Sequence, residues 1–240
     1  GEVEAYTWCW AASSLFTQSP ESNAAFLKAA HNGSDQSEAF TSEFYREVAE
    51  QWPVLSARWR LMMNDLDYGF DWSRHRVKLS TSDPRASGVP IQMSVTPDQS
   101  WQSVGVWFPK GARLRFAADG RCHVTPDWIS EPAGITLEYN RGHPLGQLQV
   151  CVLPIATPAG ATIPGLDIRP VITRADLAKS TAIASEESTN ESTPTMGTSV
   201  IAITEPSWVL LRINLPAGHT PVDATPDTQE AYQVQIAPIW

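Results

Sequence analysis

Histidine, cysteine and clustered acid are the residue types here most able to do chemistry, and their spacing decides which chemistry is open. His31, His75, His123, His143 and His219 stand far apart, and none has a second His or Cys at ligand spacing. No H-E-x-x-H occurs, so the zinc pair and general-base Glu of a zincin are not in this sequence. No G-x-S-x-G elbow presents a serine nucleophile. Cys122 and His123 are neighbours, but adjacent strand residues point to opposite faces and cannot work as nucleophile and base. The expectation is a chain without a self-sufficient catalytic site.

Two charged groups remain. Asp65, Asp67 and Asp71 could together attract a cation, but they read as the solvated acidic end of a helix. Trp72-Ser73-Arg74-His75-Arg76 is the most basic short run, and it is expected to pair with those acids. Among the aromatics, Trp101, Trp107 and Trp208 read as core, whereas Trp128 follows a loop-like Thr125-Pro126-Asp127 and is the one expected to be exposed for sugar stacking. Cys9, in an apolar helical stretch, reads as a buried small hydrophobe. Cys122 and Cys151 lie in strand-like segments, and an oxidising compartment would let them pair if their geometry allows.

A formal charge of -9 argues against nucleic acid, because phosphate binding needs a positive surface. No apolar run approaches the roughly 20 residues needed to span a bilayer. The chain begins at Gly1 without Met or a signal-peptide pattern, so upstream sequence is expected.

These residues need elements to position them. Ser19-Pro20-Glu21 starts a helix that ends at His31-Asn32-Gly33. Phe40, Phe44 and Val48 recur at spacing four, and Trp52, Leu55, Trp59, Met62, Met63 and Leu66 line a further helical face. Beyond about residue 90 the period changes to two: Leu114 and Phe116 against Arg113 and Arg115, Leu148, Val150 and Val152 against Gln147, Gln149 and Cys151, Tyr232, Val234 and Ile236 against Gln233 and Gln235. That alternation predicts half-buried antiparallel strands. The divisions are 1–67 helical, 68–89 linker and 90–240 β-sandwich, with a mobile insertion at about 174–198.

Ser103-Val104-Gly105-Val106-Trp107-Phe108-Pro109-Lys110-Gly111-Ala112-Arg113-Leu114-Arg115-Phe116-Ala117-Ala118-Asp119-Gly120 resembles the opening of bacterial galactophilic lectins of the LecA/PA-IL type. His143-Pro144-Leu145-Gly146-Gln147-Leu148 is similar to a later strand start of that family, and Leu210-Leu211-Arg212-Ile213-Asn214 to the strand before its calcium loop. The resemblance implies a jelly-roll sandwich that holds sugar through calcium. The ligand residues it implies are Asn214, Asp223, Thr225 and Asp227, with Asp223 and Asp227 on calcium; Trp128 is added to them from its loop-like context, as a stacking residue. Calcium needs six to eight oxygens, and Leu215 stands where the family has a carboxylate.

Glu4-Ala5-Tyr6-Thr7-Trp8-Cys9-Trp10-Ala11-Ala12-Ser13-Ser14-Leu15-Phe16 resembles a helix late in gluzincin-like metallopeptidase domains, with Phe40–Phe44 and Leu55–Trp59 similar in order. The fold expected is α+β, mainly β: a short N-terminal helical bundle followed by a jelly-roll-like antiparallel β-sandwich. The function expected is a non-catalytic C-terminal module of an exported, extracytoplasmic protein, in contact with glycan or protein. The alternatives are the tail of a metallopeptidase whose zinc half lies upstream, and a purely structural module.

Overall fold

Helix α1 (Glu2–Gln18) and helix α2 (Pro20–His31) are separated at Ser19, whose carbonyl accepts from the amides of Ser22 and Asn23. Pro20 sits at the start of α2, where its missing N–H costs nothing. Ser37 caps α3 (Glu38–Val48) by accepting from the Phe40 amide at 3.3 Å, and α4 spans Trp52–Asp65. The computed structural model describes residues 2–34, 37–155, 165–176, 200–219 and 231–239. Within the helical part Phe16 stacks on Phe26 and meets Phe44 edge-on. Ala11, Leu15 and Met62 are buried together with Trp59 and Phe70 against them.

A one-turn helix α5 (Trp72–His75) leads into the strands. Eight of these form the main part of two antiparallel sheets: β1 (Ile91–Val95), β2 (Gln102–Phe108), β3 (Arg113–Thr125), then β7 (Leu148–Pro154), β8 (Ile168–Pro170), β9 (Val200–Ala202), β10 (Ser207–Ile213) and β11 (Ala231–Ile239). Their pairing is nested: β1 with β11, β2 with β10, β3 with β9, β7 with β8. This is one long hairpin rolled on itself, the jelly-roll arrangement. Strands β1, β11, β3 and β9 make one layer, and β2, β10, β7 and β8 the other. Between β3 and β7 the chain adds β4 (Trp128–Ser130), which pairs with β3 as the fifth strand of the first layer, and a small hairpin of β5 (Ile135–Asn140) and β6 (His143–Leu145).

The first layer behaves as its alternation predicts. Leu114, Phe116, Tyr232, Val234 and Ile236 enter the sandwich core, while Arg113, Arg115 and Gln233 face out. Tyr232 is fully buried, and its hydroxyl donates to the carbonyls of Glu131 and Gly146. Gly146 is at φ 77°, and an added Cβ would lie 2.2 Å from Ser130 Oγ, so no other residue fits there.

The central strands of the second layer, β10 and β7, are buried on both faces. Every residue of β10 is buried. Val209, Leu211 and Ile213 face the sandwich core, whereas Trp208 and Leu210 join Cys151 and Leu153 in a second cluster with Val54, Ala57 and Leu61 of α4. Helix α4 therefore covers the outer face of this sheet. The side expected to meet water, carrying Gln149 and Cys151, lies beneath α4 with both residues fully buried. Cys122 is in the sandwich core and Cys151 is on the far side of its sheet, so the two thiols are free and cannot bridge. Cys9 is exposed on α1, not buried.

Candidate functional site

Residues 76–79 run between α5 and the first strand, with Val77 and Leu79 buried against α4. Period two then turns Arg76 and Lys78 outward. Arg58 of α4 donates from Nε to the Val77 carbonyl at 3.3 Å and fixes this segment in place. Together they wall a cleft of about 920 Å3, closed on the other side by Met93 of β1 and Ser103 and Gly105 of β2. Asp83 and Asp98 also border it. Arg58, Arg76 and Lys78 supply donors, the two carboxylates acceptors, and Val77, Leu79 and Met93 an apolar floor. Such a lining suits a polyhydroxylated or otherwise polar ligand, and the volume falls in the usual range of ligand sites, roughly 300–1,000 Å3.

A second polar group lies in the layer between α4 and the sheet. Asp65 ends α4 with 4% exposure, in a position where its carboxylate cannot reach bulk water. It accepts from Arg212 Nη1 at 2.6 Å, from Ser100 Oγ at 3.1 Å and from Asn64 Nδ2 at 2.7 Å. Arg141, at the turn of the β5–β6 hairpin with φ 54°, reaches the Asp65 carboxylate at 3.4 Å and carbonyl at 3.2 Å. Arg212 also donates from Nε to Gln149 and lies over the Trp101 ring at 4.3 Å. The expected solvated acid cluster is thus corrected: Asp65 is buried, and its cations come from β10 and the hairpin. Arg74, from the basic run, donates instead to the carbonyls of Pro216 and Ala217 at 2.8 and 3.1 Å. Asp71 caps α5 through Ser73, which holds its carboxyl below the ordinary value.

Burial lowers the pKa of Arg74, the attraction of Asp65 opposes that, and the charge of Arg212 adds to it. His75 stacks on Phe70 at 4.3 Å, and burial pulls its pKa down. His219 is pulled down to about 4, first by burial and then by Arg74.

Of the residues implied by the lectin likeness, Asn214 is fully buried and already committed. Its Nδ2 donates to the carbonyls of Asn140, His143 and Pro144, and its Oδ1 accepts from Asn140 Nδ2 at 3.0 Å. That ties the end of β10 to the β5–β6 hairpin and leaves no oxygen facing a cation. Asp223, Thr225 and Asp227 lie outside the described residues, as does most of the insertion expected at 174–198. Trp128 is half-buried and packs against the sandwich core, because its strand pairs back on Thr125. Among the described residues no group of three or more His, Cys, Asp and Glu is placed to hold a metal ion. No helix among them is long and apolar enough to cross a membrane.

No family model, curated protein or solved structure matches this chain. The lectin and metallopeptidase likenesses rest on their sequence motifs alone. What sequence reasoning missed is the cleft. Its signal was present as the alternation Arg76-Val77-Lys78-Leu79 inside a stretch read as linker.

Proposed function

We propose that this chain is a non-catalytic module of a larger exported protein, and that it contacts glycan through the cleft walled by Arg58, Arg76 and Lys78. The observation that carries this reading is the lining itself, which mixes guanidinium, ammonium and carboxylate groups over an apolar floor. Sugars present dense hydroxyls that both donate and accept, so a wall with both capacities suits them better than a wall of one kind. Arg76 and Lys78 are exposed while the residues between and after them are buried, so the two cations reach the cleft without disturbing the core.

A glycan microarray probed with the intact chain, and with Arg76→Ala and Lys78→Ala, tests the reading. Binding to a defined set of glycans that is lost in both variants is expected. Binding that survives both variants, or no binding at all, overturns it.

Protein contact is a second reading, favoured by the first half of α1. There Tyr6, Trp8 and Trp10 are 79%, 50% and 53% exposed, a density of large aromatics common at macromolecular contacts. The metallopeptidase alternative is decided by reading the encoding gene upstream of Gly1 for H-E-x-x-H followed by a downstream Glu.

A further inference from the structure

The cleft between residues 76–79 and the edges of β1 and β2 carries its positive charge on one wall. Arg76 and Lys78 are both exposed, while Val77 and Leu79, at 2% and 6% exposure, anchor the backbone between and after them. Alternate burial sets the two cations on the same side of that backbone. Arg58 holds the same stretch through the Val77 carbonyl and adds a third positive charge to the wall. Facing them, Met93, Ser103 and Gly105 are uncharged.

Asp83 and Asp98 are the acids of this lining, and both are engaged. Asp83 Oδ2 accepts from the Ser80 amide at 3.1 Å and closes the turn of residues 80–83. Asp98 lies near Arg74, whose protonated form its charge favours. Even counted in full, these two carboxylates against Arg58, Arg76 and Lys78 leave the lining positive, in a chain of formal charge -9. Lys28, Arg121, Arg141, Arg169 and Arg212 each face a carboxylate. Among the described residues Arg76 and Lys78 are in no ion pair. Two like charges held two residues apart repel one another, and an anion between them relieves that repulsion.

We infer, resting on the glycan reading above, that the cleft takes an acidic glycan, with a carboxylate or sulfate group of the sugar held between Arg76 and Lys78. The guanidinium of Arg76 offers a planar fork that can pair with two oxygens of such a group, and Lys78 a compact charge beside it. Both are carried on a backbone already fixed by Val77, Leu79 and Arg58, so little ordering remains when the ligand arrives. At about 920 Å3 the cleft lies at the upper end of ligand-site volumes and holds far more than a free inorganic anion. The remaining lining, with Ser103 and Gln99 among it, meets the hydroxyls of the sugar.

Calorimetric titration of the intact chain at low salt compares galacturonate, guluronate and glucuronate oligomers with their carboxyl-reduced neutral counterparts, and sulfated oligosaccharides with their desulfated forms. At least one acidic oligosaccharide is expected to bind about tenfold or more tightly than its neutral counterpart. That preference should shrink as sodium chloride is raised. Whether the uronate or the sulfated arm shows it identifies the group recognised. Arg76→Gln and Lys78→Gln, both at exposed positions, should each remove most of the preference with an unchanged near-ultraviolet circular-dichroism spectrum. Should a variant fail to fold, the acid–neutral comparison on the unaltered chain decides. Neutral counterparts that bind as tightly as the acids overturn the acidic-glycan assignment and leave the glycan reading standing. No binding by any acidic or neutral sugar overturns both. A preference for acid that both folded variants keep overturns the roles of Arg76 and Lys78.

Discussion

Arg212 and Asp65, 147 positions apart in the chain, meet at 2.6 Å beneath helix α4. The pair is buried on both sides, with the Arg212 guanidinium carbon 4.3 Å from the centre of the Trp101 ring. It joins the last long helix to the central strand of the inner layer, so the helical part and the sandwich share one interface.

Removing one partner of such a pair leaves the other charge buried and unmatched. Asp65→Asn is expected to cost about 3–5 kcal/mol in urea or thermal unfolding, far more than a surface substitution. Replacing both, as Asp65→Leu with Arg212→Met, should cost less than the sum of the single changes, because no partner is left stranded between them. Additive costs in that double-mutant cycle would mean the pair is not coupled.

Asn214 holds three carbonyls through one amide nitrogen. Asn214→Asp places acceptor oxygens against those acceptors, so a loss of roughly 1–3 kcal/mol per stranded group is expected. Millimolar calcium should not restore the variant's melting temperature. Full recovery in calcium would make Asn214 a cation ligand after all.

The buried imidazoles make stability depend on pH. His219 has its folded pKa lowered from 6.5 to about 4, and His75 is lowered as well. Between these values the unfolded chain binds more protons than the folded chain, so stability rises with pH. It is complete above about pH 6.5 and is lost progressively toward pH 4. The charged groups facing His219 add to this, since Arg74 repels the imidazolium. His219→Leu should flatten part of the slope between about pH 7 and pH 5, measured as the change in melting temperature. A slope unchanged by the substitution would place the titrating groups elsewhere.

The thiols should report the same burial. Cys9 is exposed, whereas Cys122 and Cys151 are enclosed, and burial pushes the Cys151 thiol up to about 12. A thiol-specific reagent is expected to add once to the native chain, at Cys9, and to all three cysteines after denaturation. Mass spectrometry of intact protein distinguishes these outcomes. A native adduct at Cys151 would mean that α4 lifts readily from the sheet.

Much of the architecture was legible in local pattern. Spacing of four in Phe40, Phe44 and Val48 is a property of the helix alone, and alternation in Leu114–Phe116 and Tyr232–Ile236 is a property of a strand with one wet face. Both survive in the folded chain because, among the described residues, the outer positions Arg113, Arg115 and Gln233 stay exposed. The same pattern misled at Gln149 and Asp65. Each is polar and sits where a solvent face is expected, yet each is buried because α4 lies over the sheet and Arg212 offers a partner.

Local residue order by itself determined where helices give way to strands and that the strands would form a sandwich, since periodicity is set by neighbours a few positions apart. Only the tertiary structure decided which polar residues meet. Packing joins Asp65, Arg141 and Arg212 from three distant elements, and places Arg76 and Lys78 beside β2, through contacts that no short-range spacing encodes.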